Sequence, residues 1–229
     1  VVRFTPDVAR TPAEEFVQLL VRHLHMVELW VGPGFALGHR RQGTVPVLRD
    51  LGQRYGFTVT EVLPFTLEGA AGREIVSSSR IRQYLQEGDV GTAARLLGRP
   101  FTVAGTVVRG SGRGRPLGFP TANLDLPETL CLPANGIYAV FVRLDQTLPR
   151  LAGAAYIGTR PQFDNGARIL EVYILDFDAD LYGRRLHVEF VARIRDDRRF
   201  PTLEAFLAQL QRDVAETRRL LAASIPDLE

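Results

Sequence analysis

The period of the hydrophobic pattern changes at Arg99-Pro100, and that change divides the chain into two kinds of structure. Ahead of it, apolar residues recur at helical spacing; behind it they come in short runs between Gly/Pro turns. Segments 101–109, 137–144, 151–157, 169–177 and 186–194 read as strands, and 117–124 reads as a sixth. Strands in this number, with no long helix between them, predict a small antiparallel β-barrel. A closing helix over 202–221 carries Leu203, Phe206, Leu207, Leu210, Val214 and Leu221 as a mostly apolar stripe.

The front of the chain follows a different pattern. Thr11-Pro12-Ala13-Glu14 has the form of a capping box with Pro at the first helical position, which predicts a helix to about His25. Val27 to Val31 reads as a short buried strand, 47–55 as a helix stopped near Gly56, and 57–63 as a second strand. Helix then strand, twice, is the pattern of a parallel α/β layer, and two strands make only part of such a domain. A helical pair follows: Ser77, Ser78 and Ser79 supply N-cap oxygens, Gly88 a stop, Asp89 a second cap and Gly98 a second stop. The expected domains are therefore 1–98 and 99–229.

Composition removes several chemistries. The 229 residues are 45% hydrophobic and 24% charged, which suits a folded protein rather than a disordered one. All 28 basic residues are arginine; without lysine there is no Walker-type P-loop and no Schiff-base amine. Cys131 stands alone, so no intramolecular disulfide forms. His23, His25, His39 and His187 do not cluster. No apolar run approaches the roughly 18 residues of a membrane helix. The chain opens on Val1-Val2-Arg3-Phe4 with no signal-peptide pattern, so a cytoplasmic protein, cut from something longer, is expected.

The strongest chemical signal is Gly110-Ser111-Gly112-Arg113-Gly114-Arg115-Pro116-Leu117-Gly118-Phe119-Pro120-Thr121-Ala122-Asn123. Alternating glycines let successive backbone N–H groups turn toward an anion, and Arg113 and Arg115 add fixed positive charge. Thr121 and Asn123, two apart on an extended segment, put two neutral oxygens on one face, suited to a Mg²⁺ that also holds phosphates. On composition alone, a flexible hairpin loop followed by an ordinary turn fits equally well.

Gly114 to Asn123 resembles, without a gap, the signature loop of riboflavin kinases. The resemblance continues through Leu132-Pro133, Gly136 to Val140, Tyr156 to Pro161, Glu171 to Phe177 and Asp180 to Gly183. Upstream, Val76 to Arg82 and Leu96 to Pro100 are similar to the bacterial bifunctional form, riboflavin kinase fused to FMN adenylyltransferase. The resemblance implies a partial Rossmann-like nucleotidylyltransferase domain followed by a six-stranded kinase barrel. It implies phosphorylation of riboflavin to FMN with MgATP, and a parent protein that also makes FAD. By the same resemblance, Gly112, Gly114, Arg115 and Gly118 hold the ATP phosphates, Thr121 and Asn123 hold phosphate and Mg²⁺, and Glu171 accepts the substrate's hydroxyl proton. Asp176 and Asp178 read as turn residues rather than a metal pair. Arg195 to Phe200 resembles the family's mobile flap near the flavin, and equally reads as a solvated charge run.

In the front part, Ser77, Ser78, Ser79, Arg80 and Arg82 would meet the ATP triphosphate at a helix N-terminus. The His-x-Gly-His of adenylyltransferases does not occur in the sequence, so FMN without FAD is the expected product of this chain. Gly34 stands where the family usually has Asp or Asn, and Tyr156 and Gln162 replace a more usual Asn and Thr. The expected partners are small molecules: riboflavin, FMN and ATP, with no nucleic acid and no membrane. The competing reading is an RNA-binding barrel using Arg184, Arg185, Arg193, Arg195, Arg198 and Arg199; the near balance of acidic and basic residues, net +2, weighs against it.

Overall fold

The computed structural model describes residues 2–69, 72–110, 112, 114–144, 149–159 and 168–224. They form two compact units, Val1–Ile75 and Val76–Glu229.

The first unit contains helices α1 (Pro6–Arg10), α2 (Ala13–Leu24) and α3 (Val45–Tyr55). Its strands are β1 (Glu28–Val31), β2 (Ala36–Leu37), β3 (Gly43–Thr44), β4 (Thr58–Glu61), β5 (Thr66–Gly69) and β6 (Gly72–Ile75). β1 and β4 pair in parallel, as the helix–strand alternation predicts. Val17 of α2 and Leu48 and Leu51 of α3 pack with Phe57 under that sheet, joined by Leu29 and Val59.

Three readings change. β1 is not buried: only Val31 is, and Trp30 is 64% exposed, because the helices cover one face of a two-stranded sheet. The capping box at Thr11 does not form. Pro12 is the N-cap of α2, without a side-chain bond, and the Thr11 hydroxyl donates instead to the Asp7 carbonyl, closing α1. α1 itself, capped by Thr5, and the β5–β6 hairpin carry too few apolar residues to show as periodic segments.

The second unit opens with α4 (Ser78–Glu87) and α5 (Val90–Leu97), capped by Ser77 and Asp89 and ended by left-handed Gly88 and Gly98 as expected. The strands β7 (Phe101–Val108), β8 (Ala122–Asp125), β9 (Gly136–Leu144), β10 (Leu151–Thr159), β11 (Arg168–Ile174) and β12 (Arg185–Arg195) follow, then α6 (Leu203–Ser224). The six strands close into an antiparallel barrel in the order β10-β11-β8-β7-β12-β9. Its inside is filled by Tyr138, Val140, Leu170, Val172, Leu186, Val188 and Phe190, all fully buried, with the Tyr138 and Phe190 rings edge to face. Leu85, Val90 and Ala93 of the helical pair belong to this same core. The change of period at 98/99 and the division by packing at 75/76 therefore mark different things.

β9 is buried on both faces. Its inner residues fill the barrel, while Ala139 and Phe141 face outward against Leu221 of α6. Of the apolar stripe read from the sequence only Leu221 is fully buried; the other buried positions of α6 are the polar Asp213 and Thr217. Asp213 is buried because Arg195, at the end of β12, grips it: Nη2 lies 2.6 Å from Oδ2 and Nε 2.9 Å from Oδ1. A two-pronged guanidinium–carboxylate pair of this kind is strong once formed and costly to break from one side. At the other end of the barrel, Asp176 takes a left-handed turn conformation, φ 55°, and pairs with Arg218 of α6 at 2.7 Å.

Asp213→Ala leaves the Arg195 charge unpaired and should lower the unfolding free energy by about 3 kcal/mol, read by urea titration. The hydrogen bond from Arg218 holds the Asp176 carboxyl below its ordinary value. A carboxyl depressed in the folded state contributes stability above its unfolded pKa of about 3.9 and loses it as pH falls through the folded value. The stability difference between wild type and Asp176→Asn should therefore be present at neutral pH and vanish in acid.

Candidate active site on the barrel wall

Alternation along β11 puts Leu170, Val172 and Ile174 inside the barrel and Ile169, Glu171 and Tyr173 outside. Glu171 is thus a mid-strand carboxylate on the outer wall. Register places it opposite Asn123 of β8 and opposite Tyr156 of β10, so three polar side chains stand in one row across three strands. Ile137 of β9 continues the row beyond Tyr156. Thr121, just ahead of β8, donates its hydroxyl hydrogen to Glu171 Oε2 at 3.1 Å.

The glycine loop is shaped around this row. Gly110 lies against the Asn123 amide so closely that a Cβ there would overlap it. Gly114 takes the N–H groups of both Leu117 and Phe119 on its carbonyl at 3.0 Å, folding Arg115–Leu117 into one tight turn that left-handed Gly118 ends. Gly112 adopts φ 68°. Ser111 and Arg113 of this loop, and Arg160, Pro161 and Gln162, lie outside the described residues.

Two cavities meet at this place. The first, about 510 Å³, is within the range of small-molecule sites. Its floor is the Asn123–Glu171–Tyr156 row with Gly112 and Gly114; its far wall is Phe206, Leu210 and Val214 of α6, with Arg195, Asp197, Arg198 and Phe200 from the segment before that helix. Phe119 and Tyr173 stand edge to face beside the row, centroids 5.4 Å apart. The second cavity, about 420 Å³, is more polar and is lined by Arg115, Asp178, Asp180 and Tyr182. Thr121 lines both.

The expected barrel residues thus come together: Thr121, Asn123, Glu171, Gly112 and Gly114 at the first cavity, Arg115 at the second, and Gly118 in the turn between. Ser77, Ser78, Ser79, Arg80 and Arg82 do not join them. They form the N-terminal turn of α4, where the Ser77 hydroxyl accepts from the Arg80 amide and the Arg80 guanidinium lies 4.8 Å from the Tyr84 ring. Sequence reasoning missed the contribution of α6. Phe206, Leu210 and Val214 recur four apart and were legible as a stripe, but a stripe facing a cavity has the same pattern as one facing a core.

The donors suit a hard cation. Thr121 and Asn123 offer neutral oxygens beside the Glu171 carboxylate, with no thiolate or imidazole among them. Because the Thr121 hydrogen is directed at Glu171, both hydroxyl lone pairs remain for a metal or a phosphate-bound water. Among the described residues no group of three or more His, Cys, Asp or Glu could hold a metal, so any cation at this row leans on these oxygens and on its own ligands.

Comparison with known proteins gives two family matches. The riboflavin kinase family model matches residues 97–221, and the FAD synthetase family model matches residues 1–80. The bifunctional riboflavin kinase/FMN adenylyltransferase of Escherichia coli strain K12 is 38% identical over 98% of this chain and 70% of its own length. The Pseudomonas fluorescens protein of the same description is 42% identical over 96% of the chain and 70% of its length. A solved structure described as a macrolide-efflux protein from Streptococcus pneumoniae superposes with a TM-score of 0.78 at 32% identity, covering 94% of this chain and 67% of that one. Among the described residues of the present chain, no helix is long and apolar enough to cross a membrane.

Gly110→Ala should drive the Asn123 amide out of the row while leaving the barrel core intact. The expected result is a displaced Asn123 side chain in a crystal structure, with urea stability lowered by no more than about 2 kcal/mol.

Proposed function

The chain belongs to the family of bifunctional riboflavin kinases/FMN adenylyltransferases, and on that footing we propose that its barrel moves the γ-phosphoryl group of ATP to the terminal ribityl hydroxyl of riboflavin. The observation that carries this reading is Thr121, which lines both cavities and holds Glu171. The first cavity has aromatic and aliphatic walls on both sides, suited to a flat ring system whose polar tail runs toward the row. The second has an arginine, carboxylates and a tyrosine, suited to a nucleotide. A transfer between the two ligands passes over Thr121.

Phosphoryl transfer asks for positioning and charge neutralisation more than covalent work. Glu171 accepts the proton of the ribityl hydroxyl as that oxygen bonds to the γ-phosphorus and the bond to the ADP oxygen breaks; the products are FMN and ADP. Thr121 orients the accepting carboxylate, and Asn123, seated on Gly110, keeps its amide beside it. The backbone N–H groups of Gly112 and Gly114, the Gly118 turn and the Arg115 guanidinium face the phosphates. A divalent cation, in our reading Mg²⁺, held by Thr121 and Asn123 would supply neutralisation of the phosphate charge when bound. Phe206, Leu210 and Val214 exclude water from the flavin side.

We assign the kinase to 99–229 and the adenylyltransferase part to 1–98, where Ser77, Ser78, Ser79, Arg80 and Arg82 would meet a second ATP. The two family matches, ending at 80 and beginning at 97, support that division. The substrates are small molecules, and we place the protein with them in the cytoplasm.

Glu171→Gln should lower the turnover of riboflavin to FMN by at least about a hundredfold. Riboflavin affinity, followed by quenching of flavin fluorescence, should change little. Thr121→Ala should lower turnover similarly and raise the Mg²⁺ requirement. Full turnover in Glu171→Gln would remove this residue from the reaction.

A further inference from the structure

We propose that Tyr156 is a positioning residue for this reaction, tying the 195–200 segment across the flavin cavity through Asp197. The proposal rests on reading the first cavity as the flavin site. Tyr156 stands opposite Glu171 in register, on the outer wall of the barrel. Its ring lies back along its own strand over Gly158, so closely that a Cβ at Gly158 would overlap the phenol oxygen. A side chain at 158 would have to displace the phenol from this position. Lying this way, the phenol donates to Asp197 Oδ2 at 3.0 Å, and both residues line the cavity.

The other ties of the segment run elsewhere. Arg195 is fixed to Asp213 on α6, Asp196 pairs with Arg193 at 2.7 Å, Arg198 donates to Gln209 Oε1 of α6, and Phe200 packs on Phe206 of α6 with ring centroids 5.5 Å apart. Those contacts hold the segment to β12 and α6, on one side of the cavity. The Tyr156–Asp197 bond reaches the opposite wall, at the row that carries Glu171. Both partners are solvent-accessible, so the bond is weak enough to break in each cycle of binding and release. Its closure sets the phenol ring as part of the cavity wall and narrows the way out for the flavin.

The test uses the full chain and three variants: Tyr156→Phe, Asp197→Ala and the double variant. Each single variant should raise the KM for riboflavin about fivefold with kcat unchanged or higher, since the ring and the catalytic row stay in place. The double variant should be no worse than either single one. Asp197→Asn, which keeps an accepting oxygen, should restore most of the affinity. A second readout needs no flavin: trypsin cleavage after Arg198 and Arg199, followed by mass spectrometry, should quicken about fivefold in both single variants of the ligand-free protein. Equal cleavage in all variants overturns the tie. Faster cleavage with an unmoved KM overturns its part in the reaction. A wild-type chain that does not phosphorylate riboflavin overturns the functional reading instead, while cleavage still reports the tie.

Discussion

Burial of Leu170 and Val172 on one face of β11 decides where every polar group of the site stands. With a side-chain period of two, fixing those residues in the barrel core turns Glu171 and Tyr173 outward. Closure of the barrel then fixes both neighbours of β11, so Asn123 and Tyr156 have no choice but to flank Glu171. A slip of one residue would put the carboxylate among Tyr138, Phe190 and Val188, where an unpaired charge costs several kcal/mol. The register that preserves the core is thus the register that builds the row. Few residues need to be spent on holding the site, because the hydrophobic core already holds it.

The second constraint is the buried pair between Arg195 and Asp213. Replacing such a pair by apolar residues is often no loss of stability, so its presence asks for another reason. Here it sets the azimuth of α6. Asp213 is buried at the end of the cavity with Thr217 and Leu221 following it along α6, and Phe206, Leu210 and Val214 line the same cavity beside it. A purely apolar interface could rotate or slide; a two-pronged ion pair has one geometry. The helix keeps part of its apolar stripe available for a ligand because a polar residue has taken the buried position.

The barrel was legible from the sequence because its strands alternate or run apolar between Gly/Pro turns: five of the six appear where the pattern put them, within a few residues, while the one read at 117–124 is the shorter Ala122–Asp125, because Arg115–Leu117 turn with Gly118 and Pro120 follows. The helix caps at Ser77 and Asp89 were legible for an equally local reason. The loop glycines pointed to an anion site, but only pairing across strands shows that Asn123, Glu171 and Tyr156 share a row, since they are far apart along the chain. The burial of Asp213 was hidden for the same reason: its partner lies on another element. In the first unit, the strand at 28–31 looked buried because Leu-Trp-Val is apolar; burial is a property of what covers a strand, and a two-stranded sheet has little to cover it.

The absence of lysine from the chain bears on the same site. An ammonium group is therefore not among the donors that could orient the Glu171 carboxylate. The hydroxyl of Thr121 orients Glu171 through a neutral hydrogen bond. In the proposed reaction, neutral oxygens at Thr121 and Asn123 would leave the neutralisation of phosphate to a metal bound with the nucleotide. On that reading the positive charge would be present when there is phosphate to be held, with Thr121 holding the carboxylate in place.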